Sequence, residues 1–457
     1  MKPIRDSKEL ELIQKYGSGT SFWYIEYPHK SYWSDKFTED DFKAGLCKLF
    51  VPSNTSPTLL YLHMPYCHKQ CWFCTCRVEI TSNYEMVKQY LKVLHEEIDL
   101  HRKFYDEHGL VPHFSEIHLG GGSPTYIQEK DFDKLMEKLS TLTDINNLTE
   151  FSIEIDPRRV NKDRMRYYHS RGINRISFGV QDLDLTVQKS INRVQPEQLT
   201  GNLLDPDIRQ LFPHGVNFDI LCGLPNQTRE TFRKTMDKVV ELAPDRISLF
   251  YMEFAPRFAK HQLLMPLEKL PSPHDKKILF MDALEILLKA GYIRTGYDHF
   301  AKATDAVALA KDQKKMIWNS FGSSPGRYTN IVGLGVHSYS TLDDYYSQNV
   351  YEIEKYFEKI ASGHFPVFRG HKLDEDDILR RRVIQTLRVY FAVDFTEINH
   401  DFQIDFREYF RKELASMVGL IEDGVVELSE DGLKITELGQ QFAQLVCRSF
   451  DCYVEKV

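Results

Sequence analysis

Apolar and polar positions along the chain fall into two alternating textures. Six short runs, "TLLYLHM" (58–64), "SEIHLGG" (115–121), "FSIEID" (151–156), "NRISFGV" (174–180), "VNFDIL" (216–221) and "RISLFY" (246–251), have the length and β-branched or aromatic content of buried strands. Between them lie longer stretches, such as 84–105 and 230–243, whose apolar residues recur at helical spacing. Successive βα units of this kind build a parallel sheet, and a partial (β/α)6 barrel of the α/β class is the predicted fold. Past residue 370 the pattern changes. Residues 374–391 and 405–418 read as helices, and 423–446 as a small hairpin followed by a helix, so a mainly helical, winged-helix-like unit is expected there. The predicted organisation is an N-terminal arm over 1–54, a barrel core over 55–305, a connecting and flanking segment over 306–369, and a C-terminal helical domain over 370–457.

In such a barrel the C-terminal strand ends carry the chemistry, and here they are loaded. The first strand runs into "HMPYCHKQCWFCTC" (63–76), the second into "GGGSPTY" (120–126), the third into "EIDP" (154–157) and the fourth into "GVQD" (179–182). The fifth carries Asp219 just before "CGLP". Glycines and acids often end strands, which explains any one of these but not the series.

Composition narrows the function. A net charge of −8 argues against nucleic-acid binding, and Glu422, Asp423, Glu427, Glu430 and Asp431 would make a DNA-reading wing repel phosphates. The N-terminus lacks the apolar core of a signal peptide, and no stretch approaches the roughly 18 apolar residues of a membrane span. A soluble, cytoplasmic chain is therefore expected. Eight cysteines in such a chain point to metal or redox chemistry rather than disulfides. Cys47, Cys222, Cys447 and Cys452 are scattered and read as ordinary thiols.

Cys67, Cys71 and Cys74 form C-x3-C-x2-C, with Cys76 two residues on. Structural zinc generally takes four ligands in two separated knuckles, and no second knuckle is present. A cubane iron–sulfur cluster held by three thiolates keeps one iron open to an amine and a carboxylate, such as the amino-acid end of S-adenosylmethionine. The three glycines at 120–122 would let backbone groups meet that ammonium and carboxylate. Glu154 and Asp219 suit ribose hydroxyls, Arg193 a carboxylate, and Phe73 an adenine face.

Together these features resemble the radical S-adenosylmethionine superfamily. Within it, "YLHMPYCHKQCWFCTC", "LGGGSPTY", "SIEIDPR", "RISFGVQD", "INR", "DILCGLPNQT" and the C-terminal "RRRVIQTL" and "KITELGQ" are similar to the oxygen-independent coproporphyrinogen III oxidase family. The resemblance implies a [4Fe–4S] cluster on Cys67, Cys71 and Cys74, with Cys76 outside the ligand set, and two S-adenosylmethionine molecules. Tyr61, Gly121 and Glu154 would serve the cluster-bound molecule; Phe73, Gly122, Ser123, Gln181, Arg193 and Asp219 would serve the other. It further implies a monomer, a low-potential electron donor such as flavodoxin or ferredoxin, and a small-molecule substrate, tetrapyrrole or aromatic. No catalytic residue is assigned.

Three stretches depart from the family pattern. "WYIEYP" (23–28) has Trp23 for an arginine, "YMEFAP" (251–256) adds Glu253, and "NSFGSSPG" (319–326) replaces N-F-Q-G-Y-T-T. "YDHFAK" (297–302) keeps the family's D-H-F-A run, while His29, Lys30, Arg158, Arg159, Arg257 and Lys260 offer positive charge. The implied reaction is oxidative decarboxylation of coproporphyrinogen III to protoporphyrinogen IX, in haem biosynthesis, through a 5′-deoxyadenosyl radical. The alternatives are a class C radical C-methyltransferase acting on an sp² carbon, and a haem-carrying relative without turnover.

Overall fold

The computed structural model describes residues 7–17 and 26–454. Its framework is a parallel series in chain order: β1 Thr58–Met64, β2 Phe114–Gly121, β3 Glu150–Ile155, β4 Arg175–Gln181, β5 Val216–Cys222 and β6 Arg246–Tyr251. These match the predicted strands to within a residue at each end. Crossover helices α1 Tyr84–His108, α2 Glu129–Leu139, α3 Lys162–Ser170 and α4 Arg229–Leu242 follow β1, β2, β3 and β5. Local chemistry sets their ends. Asn83 caps α1 through its side chain and Gly109 closes it with a left-handed φ of 62°, while Thr228 and Thr231 form a capping box on α4.

The remaining strands extend this sheet on both flanks. After α5, Pro273–Lys289, a pair formed by β7 Tyr292–Arg294 and β8 His299–Lys302 adds antiparallel to β6. Next come a small hairpin, β9 Ile317–Asn319 with β10 Gly322–Ser324, and then β11 Asn330–Leu334, which lies parallel to β1 on its other side. The strands β12 Tyr339–Leu342, β13 Tyr345–Asn349 and β14 Val367–Lys372 continue antiparallel from β11. The twelve-stranded order is β14-β13-β12-β11-β1-β2-β3-β4-β5-β6-β8-β7, and no pairing joins its two edges among the described residues. The barrel is therefore partial.

Strand alternation gives this barrel a polar lumen. Leu60, Leu62, Ile117, Leu119, Phe151, Ile153, Ile176, Phe178, Phe218, Ile220, Ile247 and Leu249 belong to the main apolar core with the helices. Their neighbours along the strands, His118, Glu154, Arg175, Ser177, Asn217, Asp219, Arg246 and Ser248, line an interior cavity. A period of two puts alternate residues on opposite faces, so a strand that is apolar outward and polar inward encloses a site rather than a packed plug.

The C-terminal unit begins with α6 Glu375–Tyr390 and ends with α7 Ala443–Ser449. Between them, β15 Ala392–Asp394 joins β16 Val426–Leu428 and β17 Gly432–Ile435 in the order β15-β17-β16. The predicted hairpin and helix are present, with β15 an unpredicted third strand. A second core holds the unit, including Val383, Leu387 and Phe410 and the stacked rings of Phe395 and Phe406, whose centroids are 4.1 Å apart. No helix among the described residues is long and apolar enough to cross a membrane.

Candidate active site

A cavity of about 740 Å³ opens at the C-terminal ends of the parallel strands. The strand-end rule places the chemistry there, and the residues agree. Cys67, Cys71, Cys74, Phe73, Gly121, Gly122, Ser123, Glu154, Gln181, Arg193 and Asp219 all line it. Tyr61 does not. It sits behind the wall, buried, with its hydroxyl 2.9 Å from His63 Nδ1 and its ring stacked on the lining His118 at 5.9 Å.

The cysteine loop leaves β1 at Met64 and is fixed mostly through its backbone carbonyls. Asn192 donates to Gln70 O at 2.8 Å, Gln262 to Phe73 O at 2.9 Å, and His261 to Cys74 O at 2.7 Å; Trp72 N donates to Ile191 O at 3.0 Å. Residues from two distant loops thus clamp it, leaving the thiols to face the cavity. Arg193 Nη1 reaches Cys71 Sγ at 3.4 Å and Arg158 Nη2 reaches it at 3.8 Å. Burial pushes the Cys67 thiol up to about 12, so binding a metal there must release its proton.

All eight cysteines are free. Among the described residues no three Cys, His, Asp or Glu side chains converge tightly enough for a single metal ion. Cys67, Cys71 and Cys74 line one cavity wall, with Cys76 on the same wall and arginines beside Cys71, and soft thiolates are the ligands that iron–sulfur clusters take. The donor set therefore fits an iron–sulfur cluster.

The carboxylate half of the glycine-turn expectation, which needs amide donors, is not what the geometry shows. The amides of the glycine turn are engaged rather than free for a ligand. Gly121 N donates to Glu154 Oε2 at 3.1 Å, Gly122 N to Met64 O at 2.6 Å, and Ser123 N to Tyr66 O at 3.0 Å. The turn instead docks onto the chain entering the cysteine loop. A Cβ on Gly122 would meet Met64 O at 2.9 Å and Tyr66 O at 3.0 Å, and one on Gly121, at φ 107°, would strike the His63 ring at 2.7 Å. Close backbone approach is the reason for glycine here.

The other wall residues are held in place by neighbouring strands. His118 links Ser152 Oγ (2.7 Å) to Glu154 Oε1 (3.4 Å). Asp219 accepts from Asn217 at 2.8 Å and Ser177 at 3.2 Å; burial, then the nearby Glu154, raises its pKa. Gln181 has φ 68° at a bulge, a strained conformation for a residue with a side chain, and such strain gathers at ligand sites. Arg193 donates to Gly179 O at 2.6 Å, and its Nε is buried without a partner.

Several lining residues escaped the sequence reading. Arg175 and Arg246 open the twin "RIS" runs of β4 and β6, a repeat that was visible; Trp318 and Arg388 come from outside the six-strand series, as do Asp298 and His299 of the "YDHFAK" run noted above, which also line the cavity. Of the expected sources of positive charge, Arg158 and Arg159 line the cavity, whereas His29, Lys30, Arg257 and Lys260 do not. Of the three divergent stretches, Glu253 and residues 319–323 do line it. Trp23 lies outside the described residues, and Glu26 of the same stretch accepts from Ser320 at 3.1 Å.

Residues 61–239 match the Radical SAM superfamily and 373–442 the HemN C-terminal domain. The oxygen-independent coproporphyrinogen III oxidase of Helicobacter pylori strain J99 is 34% identical over 432 residues, 94% of each chain. That of Escherichia coli K12 is 34% identical over 98% of this chain and 96% of its own. A solved structure of the E. coli coproporphyrinogen III oxidase, described as a radical SAM enzyme, superposes with a TM-score of 0.88 at 32% identity, covering 94% of this chain and 98% of that one. The chain belongs to the oxygen-independent coproporphyrinogen III oxidase family of radical SAM proteins.

Proposed function

We propose that this protein carries out the oxygen-independent oxidative decarboxylation of coproporphyrinogen III to protoporphyrinogen IX, a step of haem biosynthesis. The observation that carries the reading is one cavity lined by all three motif cysteines and most of the cofactor candidates, in a chain similar end to end to enzymes of that name. Cys67, Cys71 and Cys74 would hold the [4Fe–4S] cluster, leaving Cys76 unligated.

When bound, the cluster and S-adenosylmethionine supply a carbon radical that takes a hydrogen atom from a substrate propionate, which then loses carbon dioxide and one electron to become a vinyl group. The chain's own work is placement. Asn192, His261 and Gln262 fix the cysteine loop against the opposite wall. Glu154 holds the glycine turn through Gly121 N while keeping its other oxygen toward His118. Asn217 and Ser177 orient Asp219 so that its carboxylate faces the cavity.

The cofactor candidates fall on two arcs of the wall. Gly121, Gly122, Ser123 and Glu154 lie on the β2–β3 side, with Gln181, Arg193 and Asp219 on the β4–β5 side, and a cavity of about 740 Å³ between them supports room for two S-adenosylmethionine molecules. A low-potential donor such as flavodoxin or ferredoxin would approach the loop at exposed His68 and Lys69, and the enzyme would act as a monomer. The test is an anaerobic assay of cluster-loaded, reduced enzyme with coproporphyrinogen III. Carbon dioxide, 5′-deoxyadenosine and a divinyl product are expected. S-adenosylhomocysteine or methylthioadenosine without decarboxylation would replace this reading with methyl transfer.

A further inference from the structure

Five arginines that are at least half buried line the cavity around its polar belt, and four of them are bonded to protein acceptors. Arg175 pairs with Glu150 at 2.5 Å, Arg246 with both oxygens of Asp305 at 2.9 and 3.0 Å, Arg158 with Asp156 at 2.7 and 2.9 Å, and Arg193 with Gly179 O at 2.6 Å. Arg388 is different. It projects from α6 of the C-terminal unit into the cavity wall, is 3% exposed, and lies over the Trp318 ring with Cζ 4.0 Å from the centroid. None of its N–H groups makes a hydrogen bond to a described residue. Its sole ion pair among them is Asp298 Oδ2 at 3.6 Å, and its Nε is buried without a partner.

A guanidinium this buried whose N–H groups find one long ion pair and no hydrogen bond leaves binding capacity unspent toward the cavity, and native interiors rarely do so. The charge count points the same way. Asp298 already takes the His299 Nδ1 contact at 2.9 Å, and the buried Arg294 beside it is bonded, among the described residues, only to Gly296 O, Tyr297 O and Gln440 Oε1. Two guanidiniums thus face one carboxylate. Trp318 Nε1, in the same wall, is a further buried donor without a partner.

We propose that Arg388, held over the Trp318 ring, is a carboxylate-binding subsite that positions one acid side chain of the substrate. The planar fork of arginine matches a carboxylate with two parallel hydrogen bonds, and the aromatic ring beside it holds the guanidinium by cation–π attraction. Arg388 is a positioning residue supplied by the C-terminal unit, so that unit contributes directly to substrate selection. Naming a propionate as the carboxylate rests on the coproporphyrinogen reading above; the subsite itself rests on the unbonded guanidinium.

The test compares Arg388→Met, which keeps an unbranched stem over Trp318 without charge, with Arg388→Lys, which keeps the charge. Two readouts are taken on cluster-loaded protein: anaerobic KM and kcat with coproporphyrinogen III, and the Kd of the fluorescent, oxidised coproporphyrin III, which needs no turnover. Loss of one charge-assisted pair predicts a rise in KM and Kd of about 10- to 100-fold for Arg388→Met, with Arg388→Lys in between and iron content unchanged. Equal effects of Met and Lys would assign Arg388 to packing and overturn the proposal, as would wild-type KM and Kd in both variants. Wild-type enzyme that makes no vinyl product, yet binds coproporphyrin III in an Arg388-dependent way, would sink the activity reading and support the subsite. Normal turnover with no dependence on Arg388 would do the reverse.

Discussion

Gln262 ties the two sides of the cavity mouth together, and removing it should loosen the cysteine loop before anything else. The residue is fully buried in the 3-10 turn Lys260–Leu264. Its Oε1 accepts from Ala255 N at 2.7 Å, and its Nε2 donates to Glu253 O at 2.7 Å and Phe73 O at 2.9 Å. At about 1 kcal/mol net per neutral hydrogen bond, Gln262→Ala forfeits about 3 kcal/mol of local stability. That is roughly a hundredfold shift in the opening equilibrium of the joined loops. Hydrogen–deuterium exchange on the metal-free protein reads it directly. The Ala255 amide should exchange about a hundred times faster, and peptides spanning 71–76 should lose protection with it. Gln262→Glu keeps the acceptor for Ala255 but turns a carboxylate toward two carbonyls, so it should loosen the 71–76 side while sparing Ala255. Exchange at Ala255 within about twofold of wild type in Gln262→Ala would refute the clamp.

Gly122→Ala should force the chain at Met64–Tyr66 to move, costing about 1–3 kcal/mol and lowering iron uptake, whereas Gly419→Ala, where a Cβ meets nothing within 4 Å, should leave both unchanged. Urea titration of the two variants decides it; equal midpoints would contradict the close approach. Glu97 is fully buried, and burial lifts its carboxyl to about 7 against the donors Tyr356, Gly335 N and Asn349, from an ordinary 4.5. The folded chain then keeps a proton that the unfolded chain releases. The stabilisation from this group is complete below pH 4.5 and is lost as pH rises to 7, by up to about 3 kcal/mol. Glu97→Gln should flatten that part of the stability–pH profile, and an identical profile in both proteins would count against it.

Much of this architecture is legible along the chain because local pattern fixes it. The six strand runs have distinct apolar faces, and the polar residues alternating with them, such as Glu154 and Asp219, land on the lumen by period two. The partners of those strands are less legible. β11 is five residues, "NIVGL", fully buried beside β1. Its contact spans more than 260 positions of chain by the register Thr58 to Asn330, which periodicity carries no trace of. The same holds for Arg388, which reads as one more cation on an amphipathic helix; only the packing of α6 against β9 turns it inward. The glycine turn misled in the opposite way. Its composition announces close backbone approach, but not whether a ligand or the Met64–Tyr66 backbone makes that approach.

The most direct measurement is metal and sulfide analysis of anoxically reconstituted protein, read together with its electron paramagnetic resonance before and after S-adenosylmethionine. About four iron and four sulfide per chain are expected, with a reduced-cluster signal that shifts when the nucleotide is added. Serine at Cys67, Cys71 or Cys74 should abolish the cluster, and Cys76→Ser should retain it. Zinc in place of iron, a cluster that needs Cys76, or a signal indifferent to S-adenosylmethionine would contradict a three-thiolate site with an open iron.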